Sequence, residues 1–169
     1  MEDKKFRRRL FLWWLQFFLW WKLPAAAFIG VRLEHLDDER CVICLPYRWR
    51  SRNPFRSIYF AAQCVAAELS TGLPAWMAVR EQSVPVSMLV IHLEASFIKK
   101  AAQPVWFTCE SLREINQVVR HAAESDAAQT LRVLSIGRLL DGTEVTHVWI
   151  TWSFRRRRQT VFSLTKDKH

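Results

Sequence analysis

A single carboxylate in an oily stretch is the residue of this chain best suited to chemistry. Glu68 lies within Ile58-Tyr59-Phe60-Ala61-Ala62-Gln63-Cys64-Val65-Ala66-Ala67-Glu68-Leu69, which is apolar on most sides of a helix. At about 100° per residue, Arg56, Gln63 and Ser70 fall on one narrow polar stripe, and Glu68 lies roughly 120° away from Arg56. It shares its face with Ser57, Ala61, Cys64 and Val65. Burying a carboxylate there without a partner is costly or raises its pKa, so something polar must meet it. Two readings stand: Glu68 faces a ligand cleft, as a general base or nucleophile does, or it pairs with an arginine at an interface.

Other reactive residues are less pointed. Arg48, Arg50, Arg52 and Arg56 crowd the loop before the apolar segment, either as an anion-binding cluster or as a solvated basic loop. Cys41 and Cys44 form a C-x-x-C, but within Cys-Val-Ile-Cys-Leu, which reads as a strand and sends the two thiols to opposite faces. No second C-x-x-C or H-x-x-x-H supplies the remaining ligands of a zinc site, so buried structural thiols are expected. His92 sits in an apolar strand and reads as an ordinary sheet histidine. No metal or cofactor is expected.

Composition narrows the classes further. The 169 residues suffice for one domain. The four glycines are too few and too scattered for a dinucleotide fingerprint, a P-loop or a Gly-x-Ser-x-Gly turn. Lysine and arginine total 25 against 16 acids, a net charge of +9 that favours an anionic partner. Much of the excess lies at the ends, in Lys4 to Arg9 and in Arg155 to Arg158, the latter a solvated strand edge by default. Nucleic acid is the least favoured anion, because no base-stacking motif is recognisable.

The elements that must position Glu68 are readable from punctuation. Phe28–Leu36 and Cys41–Trp49 have strand character, joined by an Asp37-Asp38 turn. Asn53-Pro54 then reads as the cap and first residue of a helix running to Thr71 and closed by Gly72 and Pro74. Strands follow at Met88–Ile98, Val105–Cys109, Leu131–Leu140 and Val145–Phe154, with a capping box at Ser111 to Glu114 opening a second helix and a turn at Asp141-Gly142. The economical α+β solution is a curved antiparallel sheet wrapped around the long apolar helix.

Residues 1–23 stand apart from a domain spanning 24–169. Leu10 to Trp21 is an aromatic run too short to span a bilayer, stopped by Lys22 and Pro24 and preceded by cations. As a helix it would suit an anionic membrane surface, or pack on the domain or on a second subunit; its pattern also imitates a secretory signal. A cytoplasmic chain with peripheral membrane contact is the expectation.

The segments Asn53-Pro54-Phe55-Arg56-Ser57-Ile58-Tyr59-Phe60-Ala61-Ala62 and Ala66-Ala67-Glu68-Leu69, the strand Val90 to Lys100 and the final hairpin resemble hotdog-fold thioesterases, in particular the DUF4442 branch near the PaaI-type enzymes. The resemblance spans roughly Pro24 to Arg155. It implies a hotdog fold, to which the N-terminal aromatic helix read above is an addition, a homodimer or dimer of dimers, and hydrolysis of a fatty or aromatic acyl-CoA. Glu68 would serve as base or nucleophile, contributed across the dimer interface, and the loop Asn would be Asn53. Such enzymes place His-Gly-Gly at the helix start, where this chain has Tyr59-Phe60-Ala61; with Ser57, these would line the oxyanion and substrate site. Arg48, Arg50, Arg52 and Arg56 would meet the phosphates of coenzyme A. A non-catalytic acyl or lipid binder on the same fold is the alternative.

Overall fold

The computed structural model describes residues 20–157. Most of the basic and aromatic N-terminal segment, and Arg158 of the arginine run, lie outside those residues; Trp20 to Lys22 are helical. A short helix α1 (Pro24–Ile29) is followed by β1 (Arg32–Leu36), β2 (Cys41–Leu45), a 3-10 turn (Trp49–Ser51), α2 (Phe60–Arg80), β3 (Val86–Phe97), β4 (Val105–Cys109), α3 (Leu112–Glu124), β5 (Gln129–Arg138) and β6 (Glu144–Arg156).

The six strands form one antiparallel sheet in the order β1-β2-β4-β5-β6-β3. Helix α2 packs against β2, β3, β4, β5 and β6, and α3 covers it from the side while also meeting β5 and β6. This is the expected sheet wrapped around a long apolar helix, and the strands after α2 fall within a few residues of the positions read from alternation.

Four boundaries differ from the sequence reading. Phe28 and Ile29 are helical rather than extended: Pro24 opens α1, three alanines carry it, and Gly30, at φ 86°, ends it in the left-handed region. β2 stops at Leu45, and the chain instead makes the 3-10 turn through Trp49, where Ser51 Oγ accepts from the Arg48 amide and donates to the Pro46 carbonyl.

The central helix begins later and ends later than its punctuation suggests. Asn53 caps a turn instead: its Oδ1 accepts from the amides of Phe55 and Ser57 and from Ser57 Oγ, with Arg56 at φ 56°. Tyr59 is still extended, and α2 starts at Phe60. Gly72 and Pro74, read as its stop, are buried inside it. Pro74 removes one helical donor, a local cost of about 3 kcal/mol. Burial of α2 between the sheet and α3 outweighs it.

The polar stripe of α2 has partners in the sheet. Gln63 Oε1 accepts from Thr146 Oγ1, Ser70 Oγ shares a hydrogen bond with Ser135 Oγ at 2.7 Å, and Trp152 Nε1 donates to Thr71 Oγ1 at 3.0 Å. These side chains sit inside the core but are satisfied, which fixes the rotation of α2 about its axis. The four cysteines are free; Cys41 and Cys44 are buried as expected, and burial pushes the Cys109 thiol up to about 11.

Close packing reaches the backbone at Gly137, where an added Cβ would stand 2.8 Å from the Phe107 ring and 3.0 Å from Val105. Gly137→Ala is therefore expected to destabilise the fold by about 1–3 kcal/mol, read as a lower urea midpoint with an unchanged slope.

Candidate functional site

The rotation fixed by Gln63, Ser70 and Thr71 turns Glu68 away from the sheet's interior and toward the gap between the two edge strands, β1 and β3. A pocket of about 430 Å³ opens there. Glu68, Leu69, Gly72, Leu73, Trp76 and Arg80 of α2 form its floor; Val31, Arg32 and Leu33 border one side, Ile43 lies behind, and Met88 of β3 borders the other. Lys22 and Leu23 complete the rim. The walls are chiefly apolar, and the three cations, Lys22, Arg32 and Arg80, are exposed.

Glu68 is partly buried and has no hydrogen-bond or ion-pair partner for its carboxyl group among the described residues. Burial pushes its pKa up to about 7, with no charged neighbour contributing. Of the two readings open at the start, the ion pair to an arginine is not found for this acid among the described residues.

Gly72 makes room for the carboxyl group. A Cβ at that position would stand 2.7 Å from Glu68 Oε1 and 3.1 Å from the Trp152 indole. Thr71, its neighbour in the chain, receives the Trp152 N–H and donates to the Glu68 carbonyl at 3.0 Å. The acid is thus seated by its own helix turn and by one tryptophan from β6.

The remaining residues singled out from the sequence lie elsewhere. None of Asn53, Ser57, Tyr59, Phe60 or Ala61 lines the Glu68 pocket, and neither do Arg48, Arg50, Arg52 and Arg56. Phe60 and Glu68 are separated by ~12 Å along the helix axis. Asn53 is engaged in its turn, and the Tyr59 N–H donates to the Ser51 carbonyl at 2.8 Å, so Tyr59 offers no free amide. The amides of Phe60 and Ala61 do remain open: they are the first donors of α2, no side chain caps them, and no backbone acceptor meets them among the described residues. The Tyr59, Phe60 and Phe97 rings gather beside them, with centroids 4.8 and 6.1 Å apart in successive pairs.

Sequence reasoning missed Gly72, Leu73, Trp76 and Arg80, because the stop signals at Gly72 and Pro74 end the helix before its last turns. A signal is nonetheless present: Glu68, Gly72, Trp76 and Arg80 recur every four residues and make one continuous face.

An antiparallel sheet wrapped around one long buried helix, with a pocket on the flank that the sheet leaves open, defines a hotdog-fold protein. The chain belongs to the DUF4442 family, a domain family of unknown function, whose family model matches residues 9–154. Among solved structures it is similar to a protein of unknown function from Chlorobaculum tepidum, with a TM-score of 0.72 and 12% identity over 85% of this chain and 93% of that one. It is also similar to the thioesterase HI1161 of Haemophilus influenzae, with a TM-score of 0.64 and 11% identity over 86% of this chain and 90% of that one. A mutant of the thioesterase SAV0944 of Staphylococcus aureus gives a TM-score of 0.56 at 16% identity over 75% of this chain and 94% of that one. At such identities the likeness is one of fold. No curated protein matches by sequence.

The raised pKa of Glu68 has a consequence for stability. Between its ordinary value of 4.5 and about 7 the unfolded chain releases this proton while the folded chain keeps it, so stability falls as pH rises through that window. Glu68→Gln is expected to match the parent near pH 4 and to exceed it above pH 7, by about 2 kcal/mol after allowance for partial exposure. Urea unfolding at the two pH values measures this, and a parent as stable as the variant at high pH contradicts the raised pKa.

Proposed function

We propose that this protein is a thioester hydrolase acting on a fatty or aromatic acyl-CoA, with Glu68 as the general base or nucleophile. The observation that carries the reading is the Glu68 carboxyl, without a partner among the described residues, at the floor of an apolar pocket large enough for an acyl chain. With a pKa near 7, the group both accepts and returns a proton at neutral pH.

The site completes itself through a second copy. β3 is an edge strand whose unpaired side exposes apolar residues, with Leu89 65% and Ile91 52% accessible. Its Met88 end borders the Glu68 pocket, while its Phe97 end meets Phe60 at the start of α2. Two copies pairing β3 antiparallel about a two-fold axis bring the Phe97 end of one beside the Met88 end of the other. The free amides of Phe60 and Ala61 in one protomer then approach the Glu68 pocket of its partner.

In that composite site the amides hold the thioester oxygen as negative charge develops on it. Glu68 takes a proton from water, the resulting hydroxide adds to the carbonyl carbon, and the carbon–sulfur bond breaks with the proton returned to the departing thiolate. Direct attack by Glu68 on the carbonyl carbon would instead expel the coenzyme A thiolate and leave an acyl anhydride, which water opens to release the acyl acid and restore the Glu68 carboxylate. Asn53 and Ser57 shape the turn that presents the helix start. The loop arginines Arg48, Arg50, Arg52 and Arg56 are assigned to the phosphates of coenzyme A; the Arg52 guanidinium lies over the Tyr47 ring at 5.4 Å, and the Arg56 carbonyl accepts from the Tyr47 hydroxyl.

A second reading, an acyl binder without turnover, draws on Tyr59, Phe60 and Phe97, whose rings stand where small residues would leave an open slot.

A panel of acyl-CoAs decides between them. Turnover is expected to rise with pH to a plateau above about 7 and to fall by about 10²–10⁴-fold in Glu68→Gln. Tight acyl-CoA binding without turnover, unchanged by pH, establishes the second reading. Ile91→Lys is expected to yield monomers by light scattering and to lose turnover together with assembly; an active monomer sinks the composite site.

A further inference from the structure

We infer that the surface formed by α1 and the 3-10 turn docks on an anionic membrane. Trp49 on the turn is 70% accessible and Phe28 at the end of α1 is 48% accessible, yet their rings touch edge to face with centroids 6.0 Å apart. The Arg50 guanidinium lies over the Phe28 ring at 5.6 Å. From Tyr47 to Arg56 the chain carries four arginines and no acid, so the exposed rings are set among cations of one sign.

Two features favour a bilayer over another occupant. Aromatic rings interleaved with arginines match both halves of a headgroup layer, the rings entering the interfacial zone and the cations meeting lipid phosphates and carboxylates. The turn is also held rigidly: the Ser51 amide donates to the Arg48 carbonyl, and Ser51 Oγ bonds at three points around the turn. Trp49 is therefore fixed in water by a firm backbone rather than by a loop free to fold over it.

The placement joins this surface to the pocket. α1 is six residues long, and Lys22 and Leu23 immediately before it belong to the pocket rim. Trp20, Trp21 and Leu23 are exposed there as well. A membrane against α1 would bring the pocket mouth to the headgroup layer, from which an acyl chain reaches Glu68 without crossing water; that consequence rests on the proposed acyl substrate, whereas the docking itself does not.

The test is flotation of the full chain with phosphatidylcholine vesicles, with and without phosphatidylserine. Binding is expected only with phosphatidylserine. It should weaken roughly thirtyfold in the double variant Arg48→Gln, Arg50→Gln, and clearly in Phe28→Ser, Trp49→Ser. Because all four side chains reach solvent, a thermal melt matching the parent confirms that each variant folds, and either variant alone suffices if the other does not. A folded variant that floats as the parent does overturns the proposal, as does binding lost only on deletion of residues 1–22. Retention of a charged oligonucleotide with no flotation overturns it in favour of nucleic acid. Turnover of acyl-CoA in solution should survive Phe28→Ser, Trp49→Ser, so the docking surface and the hydrolase reading fail separately.

Discussion

A carboxyl group partly withdrawn from water, with no partner among the described residues, is the constraint around which this molecule is arranged. Removing Glu68 from solvent costs free energy that an arginine could have offset, and the sequence has arginines in abundance. Instead the structure spends a glycine on it: Gly72 clears the volume in which the carboxyl group lies. Trp152, packed beside Gly72, donates to Thr71 and locks the helix turn that bears the acid. Loss of stability at this point is tolerable because the rest of α2 is so thoroughly buried, with its polar stripe satisfied by Thr146 and Ser135.

How far this could be read beforehand depended on which forces decide each feature. The angular offset of Glu68 from Gln63 and Ser70 is a property of helix periodicity, and it survives folding unchanged: the Gln63 amide and the Ser70 hydroxyl face the sheet, and the acid faces the gap. Alternation likewise placed β4 to β6 closely, because one buried face dictates register. Helix ends were less legible. Asn53-Pro54 satisfies every local rule for a helix start, yet the hydrogen bonds of Asn53 close a turn, and Tyr47, Ala101 and Ser51 hold the segment extended through contacts distant in sequence. Pro74 and Gly72 carry strong stop signals locally and were overruled by burial, which no window of ten residues can register. The pocket followed that error, since its outer floor is the part of α2 beyond Gly72.

The arrangement of the acid and the open amides is a matter of helix geometry. Two groups eight residues apart on one helix are separated by roughly 12 Å and cannot meet the same carbonyl. What relates them is β3, which touches the Phe60 end of the helix at one extremity and the Glu68 pocket at the other. An edge strand with an apolar, unpaired flank is a liability for a lone chain and an asset for a symmetric pair, because a two-fold axis through an antiparallel pairing exchanges the two extremities. The proposed pairing accounts at once for the exposed apolar residues of β3 and for the separation of the acid from the open amides.

In the proposed dimer, assembly and protonation are coupled. A second protomer set against the pocket would remove more water from Glu68 and strengthen its hold on the proton, while its helix-start amides, as dipoles pointing toward the site, would favour the charged form. The net proton affinity of the acid depends on which of these prevails in the complete site, and an acyl chain entering the pocket adds to the first. A base that is desolvated further by its own substrate becomes more basic as the substrate binds, and is neutralised if the pH is too low for it to remain charged. In the proposed hydrolase the Glu68 carboxyl, the apolar floor and the open helix start act as one device, in which the cost of burying a charge is placed where the chemistry needs a proton acceptor.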